Sequence, residues 1–438
     1  MSIEWALKPW SDEFLSLNPS LLCPIGEALQ RERERDFARE LFVAGLAFPL
    51  PGSGSIQGIP ARMSTPPTPY VVPCLLAAAL FVWASTPASS AQEAFETFIA
   101  AATDANPRQS EGDILALKDG SLLAAWSDFY GGSEDNAAGR ISAARSTDGG
   151  HTWSPKYTLQ ENTGKANVMS ASLLRSQSGD ILFFFLRKNA LTDLKIYMRR
   201  SSDEAATWSE PVLVTPEDGY HVMNNARVIQ LKSGRLLAPV STSKEVWTKN
   251  DDFKTVMYFS DDDGRSWKRG RTMLSAPKRG AMEPGVVDMK DGRVLQIIRT
   301  QTGYIWHAYS EDGGDTWSEA QPWNITSPEA PATLVRLPDS GDWVLVRNPD
   351  VVWSNPEKTV LGANHGGMRT PLVAQLSRDE GKTWSKPVSI ESDPAITFAY
   401  TSVTAQGDRV LLSYYHFPVG GKKLSLCFKS LPLTVFEK

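Results

Sequence analysis

One octapeptide pattern, Ser-x-Asp-x-Gly-x-Thr/Ser-Trp, recurs five times in this chain of 438 residues and constrains its fold more than any other feature. The copies are STDGGHTW at 146–153, SSDEAATW at 201–208, SDDDGRSW at 260–267, SEDGGDTW at 310–317 and SRDEGKTW at 377–384. Their tryptophans lie 50 to 67 residues apart, a spacing typical of a repeated four-stranded sheet. In each copy we expect the Asp carboxylate to accept from turn N–H groups, the Gly to supply a positive φ and the Trp to pack between neighbouring sheets. Only the second copy departs from the pattern, with Ala205 in place of the glycine.

A second repeat indicates the same period. Six short turns that contain glycine are each followed by an apolar strand: Asp119-Gly120, Ser178-Gly179, Ser233-Gly234, Asp291-Gly292, Ser340-Gly341 and Gly407-Asp408. Each turn predicts a hairpin that joins two inner strands of one blade. Together the two repeats predict an all-β fold, a six-bladed β-propeller whose last blade lacks the octapeptide. A seven-bladed ring would require one further, degenerate blade.

The composition excludes several classes of function. The chain is 41% hydrophobic and 22% charged, as in ordinary globular proteins, and its net charge is −5. No long basic run is present, so we expect no nucleic-acid partner. The five histidines are scattered without the spacing of metal ligands, and neither a nucleophile elbow nor a phosphate-binding glycine loop occurs. We therefore expect no metal and no cofactor.

The N-terminal segment differs from the rest. Residues 63–91 combine an apolar run, Tyr70 to Trp83, with small residues at Ser89-Ser90-Ala91, which is the pattern of a secretory signal peptide. The run is shorter than the ~20 residues that span a bilayer. We expect residues 1–62 to be a misassigned start or an extension, residues 63–91 to be the signal peptide and residues 92–438 to be the propeller. The protein would then be secreted or periplasmic, with no membrane association after cleavage. The alternative is a genuine extension with an anchoring helix.

The octapeptide is the Asp box, and the chain resembles the sialidase (neuraminidase) superfamily over most of residues 92–438. In that family three arginines bind the substrate carboxylate, a Tyr paired with a Glu is the nucleophile, and an Asp is the acid/base. The resemblance assigns these roles to residues at the ends of inner strands.

Three segments fit the family pattern. Residues 282–292 lead to Arg299, which makes Glu283 the partner of the nucleophile and Arg299 one arginine of the triad. Glu283 starts a strand and Arg299 ends its hairpin partner, so hairpin geometry brings both to one edge independently of the resemblance. Arg369, just before the fifth octapeptide, is the second arginine, and Tyr400 takes the place of the nucleophile. The alternatives are a salt bridge at the rim for Glu283 and Arg299 and an ordinary core tyrosine for Tyr400.

The first blade departs from the pattern. Arg108 takes the place of the remaining arginine, but the family's following Ile-Pro is absent and two acids, Glu111 and Asp113, are present. The acid/base Asp is expected on the loop before the first octapeptide. Asp135 is our choice there and Asp128 is the alternative, and either could instead be a solvated carboxylate.

One further segment has no counterpart in the family pattern. Polar residues at 220–227 lead into an apolar strand, so Asn225 and Arg227 are expected to reach the pocket and contact sugar hydroxyls. Polar loop residues without such a role are the alternative.

The resemblance implies a secreted glycoside hydrolase similar to exo-α-sialidases. It would release terminal sialic acid or a related acidic sugar with retention, so its partner is a sialylated or other acidic glycan. The altered Arg108 segment leaves open a glycosidase or lyase for another uronate-type sugar. A non-catalytic carbohydrate- or protein-binding propeller is the third alternative.

Overall fold

The computed structural model describes residues 93–244, 246, 252–349 and 369–437, and the two expected N-terminal segments, 1–62 and 63–91, lie outside these ranges. The described part is all-β, as the repeats predict. Its one helix is a short 3₁₀ helix, Leu433–Glu437. No helix of this part has the length and apolar character needed to cross a membrane.

The strands fall into antiparallel groups that follow one another along the chain. The first group holds β2 (Arg108–Ala116), β3 (Leu122–Phe129), β4 (Gly139–Ser146) and β5 (Tyr157–Gln160). The second holds β6 (Asn167–Arg175), β7 (Ile181–Ala190), β8 (Asp193–Ser201) and β9 (Val212–Leu213). The third holds β10 (Tyr220–Val222), β11 (Ile229–Gln230), β12 (Leu236–Ser243), β13 (Lys254–Ser260) and β14 (Lys268–Leu274). Tyr220 of β10 also pairs in parallel with Leu194 of β8, so the second and third groups form one nine-stranded sheet.

The remaining groups repeat this order. The fourth holds β15 (Met282–Asp288), β16 (Val294–Arg299), β17 (Tyr304–Ser310) and β18 (Gln321–Thr326). The fifth holds β19 (Thr333–Arg336), β20 (Trp343–Arg347), β21 (Leu372–Ser377) and β22 (Val388–Glu391). The sixth holds β23 (Ile396–Gln406), β24 (Arg409–Pro418) and β25 (Ser425–Pro432), and its outer strand is the N-terminal β1 (Phe95–Ala100).

All six predicted turns join two antiparallel strands that follow one another in the chain, which confirms the hairpin prediction. Each octapeptide begins at the last residue of a strand, namely β4, β8, β13, β17 or β21. In the first copy, Asp148 accepts from the Thr152 amide at 2.9 Å, and the Ser146 hydroxyl accepts from the Gly150 amide at 2.8 Å. Gly150 has a φ of 99°, and Ala205 takes the corresponding conformation in the second copy with a φ of 63°. The expected turn geometry is therefore present even where the glycine is missing.

Hydrophobic clusters lie between consecutive groups. Trp208 of the second group packs on a cluster shared with the first, and Trp153 of the first group meets Phe428 of the sixth with ring centroids 5.5 Å apart. Hydrogen bonds add to these contacts: the Leu173 amide donates to Asp113 at 2.7 Å, and the Thr404 hydroxyl donates to the Ile114 carbonyl at 2.6 Å. The first group is thus joined to both the second and the sixth.

Candidate active site

A cavity of about 640 Å³ lies where the first strands of the groups begin and the second strands end. We call it the arginine cavity. Its charged and phenolic lining comprises Arg108, Glu111, Asp135, Tyr220, Arg279, Glu283, Arg299, Arg369, Tyr400 and Tyr415. In an antiparallel hairpin the start of one strand faces the end of the next, which is why residues distant in sequence meet at this edge. Every catalytic residue predicted from the sequence, and all three predicted triad arginines, line this one cavity.

A repeated backbone irregularity aims several of these side chains. The register of the first strand shifts between Ser110 and Asp113, between Met169 and Ser172, between Met282 and Gly285, and between Ala399 and Ser402. Within each shift one residue has a left-handed φ: Glu111 (45°), Ser170 (55°), Glu283 (38°) and Tyr400 (57°). All four line the cavity. Bulges of this kind redirect a side chain that regular pleating would point elsewhere.

Tyr400 and Glu283 are neighbours in the lining of the cavity. The Tyr400 hydroxyl donates to Glu283 Oε1 at 3.3 Å. Burial raises the pKa of Tyr400, and the Glu283 charge raises it further, while Arg299 and Arg369 act in the opposite direction. Tyr400 is therefore a neutral phenol at physiological pH with a carboxylate in reach of its proton.

Arg299 is buried between two carboxylates. Its Nη1 lies 2.5 Å from Glu283 Oε2, and its Nη2 lies 3.4 Å from Glu329 Oε1. Burial lowers the pKa of Arg299, but the nearby Glu283 charge and other anionic partners outweigh burial and raise it overall. The guanidinium is thus permanently charged and fixed in orientation, and Glu283 is anchored on the oxygen that does not meet Tyr400.

Arg369 adjoins the same phenol. Its Nη1 donates to the Tyr415 hydroxyl at 2.8 Å and its Nη2 to the Glu329 carbonyl at 3.2 Å. Its guanidinium carbon lies 5.6 Å from the centroid of the Tyr400 ring. Burial opposes the charged form of Arg369, but Tyr415 and Tyr400 outweigh burial and raise its pKa.

Arg108 is held by two carboxylates. Its Nη2 and Nη1 lie 2.6 Å from Glu111 Oε1 and 2.6 Å from Asp135 Oδ1. The guanidinium also lies 4.5 Å from the centroid of the Phe129 ring. Burial disfavours its charge, but Glu111 and Asp135 raise the pKa of Arg108 overall. Glu111 is one of the two acids by which this segment departs from the family pattern, and it forms an ion pair with Arg108.

The two candidate acid/base residues occupy different surroundings. Asp135 lines the cavity, and 38% of its side chain is exposed. Asp128 is fully buried and accepts from Gln109, Ser142 and Lys156 at 2.7 to 2.9 Å. Although burial opposes it, this network lowers the pKa of Asp128. Asp128 is not among the cavity-lining residues, so the structure places only Asp135 where a bound ligand could reach it.

Asn225 and Arg227 are not on the cavity wall. Asn225 is fully buried and donates to the carbonyls of Gly112 and Tyr400 at 2.7 and 2.9 Å. Arg227 is also buried and donates to the Thr333 hydroxyl at 3.1 Å and the Ala332 carbonyl at 3.0 Å. Burial lowers the pKa of Arg227 to about 10. Both residues join strand groups beneath the cavity, and the neighbouring Asn224 lines the cavity instead.

Sequence reasoning missed several residues around the cavity. Arg279 lines it and forms an ion pair with Glu329 at 2.6 Å, and Glu329 also accepts from Gln301 at 2.7 Å. Tyr415 lies near the end of β24 and Arg299 lies at the end of β16, and each of these strands is the second of its group. The position of Tyr415 near a strand end could therefore have identified it from the sequence. Glu329 lies in a connecting segment without periodicity and gave no signal.

In the described ranges, no group of three or more His, Cys, Asp or Glu side chains could hold a metal ion. The cavity offers instead a neutral phenol beside a carboxylate, a part-exposed carboxylate and several arginines. These groups can bind an anionic ligand and transfer protons.

Comparison with known proteins agrees with the sequence repeats. A family model described as a BNR repeat-like domain matches residues 120–416. A sialidase of Micromonospora viridifaciens is 27% identical over 326 residues, covering 67% of this chain and 47% of that protein. A sialidase of Clostridium perfringens is 26% identical over 237 residues, covering 48% of this chain and 61% of that protein. The chain therefore matches only about half of the length of these curated relatives.

Solved structures show the same fold at low identity. The leech intramolecular trans-sialidase, complexed with 2,7-anhydro-Neu5Ac, superposes with a TM-score of 0.61 at 17% identity, covering 78% of this chain and 71% of that chain. A protein of unknown function from Dyadobacter fermentans superposes with a TM-score of 0.62 at 19% identity, covering 78% of this chain and 99% of that chain.

Proposed function

Because the chain belongs to the family of BNR repeat-like domains, in the sialidase superfamily, we propose that it is a glycoside hydrolase of the exo-α-sialidase type. It would release terminal sialic acid or a related acidic sugar with retention. The observation that carries the proposal is the Tyr400–Glu283 hydrogen bond at 3.3 Å, within a cavity also lined by Arg108, Arg299 and Arg369.

The six strand groups are, in this proposal, the blades of a six-bladed β-propeller with the arginine cavity at one end. Support comes from the hydrogen bonds that join the first group to the second and to the sixth. The N-terminal β1 would complete the last blade, whose other strands come from the C-terminus. In such a closed arrangement no blade leaves a long unprotected edge.

The arginines fit an anionic sugar. Planar guanidinium groups pair with carboxylates through two parallel N–H···O bonds, and they remain charged when buried. A substrate carboxylate placed next to the reacting carbon would repel an attacking carboxylate, whereas a neutral phenol avoids that repulsion. A tyrosine nucleophile is accordingly the known exception among glycosidases to the use of two carboxylates.

The proposed reaction proceeds in two displacements. In the first, the Tyr400 oxygen bonds to the anomeric carbon and its proton passes to Glu283, while Asp135 protonates the departing oxygen. In the second, Asp135 takes a proton from water, the water oxygen replaces Tyr400, and Glu283 returns the proton to the phenol. Two inversions at one carbon give net retention. Arg299 would orient Glu283 through the oxygen that is not used for proton transfer.

Export to the periplasm or the cell exterior is part of the proposal, with residues 63–91 as a signal peptide removed from the mature chain. The N-terminal sequence of the native protein, determined by mass spectrometry, tests it. A peptide from upstream of Met63 in the secreted protein would overturn the assignment.

A glycosidase for another uronate-type sugar is the second candidate. It is favoured by the two carboxylates, Glu111 and Asp135, that already pair with Arg108. These charges reduce the attraction of Arg108 for a substrate carboxylate.

The test is hydrolysis of a fluorogenic α-sialoside by the full chain beside its Tyr400→Phe variant. We expect turnover by the wild type and loss of turnover in the variant, with unchanged circular dichroism. A folded wild-type protein that does not hydrolyse the sialoside would overturn the sialidase assignment. A matched panel of uronate glycosides then tests the second candidate.

A further inference from the structure

A buried lysine lies behind the loop that carries Asp135. Lys188 on β7 has no exposed surface, and its Nζ donates to the Asp135 main-chain carbonyl at 3.1 Å. The ammonium also lies 5.3 Å from the centroid of the Tyr220 ring. Among the residues that the structure describes, no carboxylate forms an ion pair with Lys188.

Stability alone does not account for this side chain. An ammonium taken out of water carries a penalty of several kcal/mol that a single carbonyl does not offset, and an apolar residue of similar length is often at least as stable. Burial lowers the pKa of Lys188, Arg108 lowers it further, and Asp135 opposes both. Among the described residues, the charged group that favours the ammonium is Asp135, the proposed acid/base.

The loop between β3 and β4 is held from the second strand group. Asn167 donates through Nδ2 to the carbonyls of Asp135 and Ala137, each at 2.9 Å. Asn167 and Lys188 are directly paired across β6 and β7. Two side chains that are paired across β6 and β7 thus fix the main chain at Asp135, while Arg108 holds its carboxylate from the other side.

We propose that Lys188 is a positioning residue for Asp135, holding the main chain of its loop by a hydrogen bond and its carboxylate by charge. The inference rests on the proposed function, in which Asp135 is the acid/base. Among the described residues, Arg108 and Lys188 are charged groups that contact Asp135, and Glu111 pairs with the other terminal nitrogen of Arg108.

The first test does not depend on turnover. Amide hydrogen exchange is measured by mass spectrometry for the loop peptide of the full chain, where the amides of Gly131 and Ala137 are hydrogen-bonded within the loop. In Lys188→Met we expect exchange in this peptide to accelerate about 10-fold, without a lower Tm. The control is Lys195→Met, whose ammonium contacts Pro216 and Asp218 away from the cavity. Equal loop exchange in the wild type and in both variants would overturn the proposal.

The second test separates positioning from a merely structural role. In Lys188→Met we expect kcat to fall about 10- to 100-fold with little change in KM, because a displaced acid misses the transition state. Loss of the Lys188 charge favours the protonated form of Asp135. In a plot of kcat against pH, the alkaline limb should therefore move to higher pH. Lys188→Gln keeps a donor and should recover much of kcat, but not the position of that limb.

The double variant completes the design. If Lys188 acts through Asp135, Lys188→Met should cause no further loss of rate in an Asp135→Asn background. Independent, multiplying losses would overturn the proposal. A folded wild type without turnover on any acidic glycoside contradicts the proposed function, and the exchange result then decides alone whether Lys188 holds the loop.

Discussion

At the scale of single residues, the cavity is built on backbone conformations that ordinary side chains avoid. Glu111, Ser170, Glu283 and Tyr400 all have a φ between 38° and 57°. Such conformations cost on the order of 1–3 kcal/mol each and persist only where the surrounding sheet enforces them. At these four positions the cost is carried by a residue that lines the cavity, where the fold gives up stability in exchange for side-chain direction.

Glu283 is the residue whose removal distinguishes proton transfer from binding. We expect Glu283→Gln to lower kcat by about 10²- to 10⁴-fold, because the amide cannot accept the Tyr400 proton. Steady-state kinetics on the fluorogenic sialoside give the result. The control is Glu204→Gln, which removes another carboxylate paired with an arginine, Arg175, at 2.7 Å and outside the cavity. Equal losses in both variants would show that the effect of Glu283 is structural.

At the scale of elements, local sequence patterns were sufficient to predict the turns of the fold. The six hairpin turns and the octapeptide corners depend on residues within one turn, so the sequence could predict them. The bulges could not be predicted, because Glu111, Glu283 and Tyr400 carry no glycine to mark a positive φ. Asn225 and Arg227 were expected to reach the pocket because polar residues lead into an apolar strand there, whereas the structure buries both away from the cavity wall.

The octapeptide glycine has a second role at the corner of the first group. A Cβ on Gly150 would lie 2.2 Å from Phe428, and its φ is 99°. We expect Gly150→Ala to destabilise the protein by more than about 2 kcal/mol through the clash and the backbone strain together. Gly120→Ala is the control, because Gly120 has a φ of 85° with nothing within 4 Å of its added Cβ, so it reports strain alone at about 1 kcal/mol. Urea unfolding measures both, and equal losses would contradict the role of Phe428.

At the scale of the whole molecule, the strand groups depend on links between neighbours. Glu329 illustrates what the sequence does not reveal: it pairs with Arg279 and Arg299 from a connecting segment, and only the assembled fold brings these residues together. Lys188 is a similar case, since a lysine within the apolar run of β7 gives no indication of the loop that it contacts. Local patterns therefore predicted the groups, and a resemblance predicted much of the cavity, but its supporting contacts required the structure.

Asp113, which accepts from the Leu173 amide and so joins the first strand group to the second, should make the stability of the protein depend on pH. Burial raises the pKa of Asp113 from 3.8 to about 7, although the Leu173 and Ile114 amides favour the carboxylate. A folded-state pKa above the unfolded value means that its stabilising contribution is complete below about pH 4 and is lost as the pH rises through about 7. Asp113→Asn loses one amide hydrogen bond but does not titrate. We expect the unfolding free energy of the wild type to fall relative to that of the variant from pH 4 to pH 8 in urea titrations. A wild type that gains stability relative to the variant as the pH rises would show that the ionised carboxylate is the stabilising form.

Trapping of a covalent sugar–enzyme intermediate tests whether Tyr400 is the nucleophile. In a 2,3-difluorinated sialic acid, the fluorine at C3 destabilises the positive charge that develops at the anomeric carbon and slows both displacements. The fluoride at C2 is a leaving group good enough for the first displacement to proceed, so the covalent intermediate accumulates. After incubation of the full chain, intact-mass and peptide mass spectrometry should show one sugar adduct, located on Tyr400 and absent in Tyr400→Phe. An adduct on Glu283 or another carboxylate, or turnover of the fluorogenic sialoside with no adduct at any residue, would contradict the account.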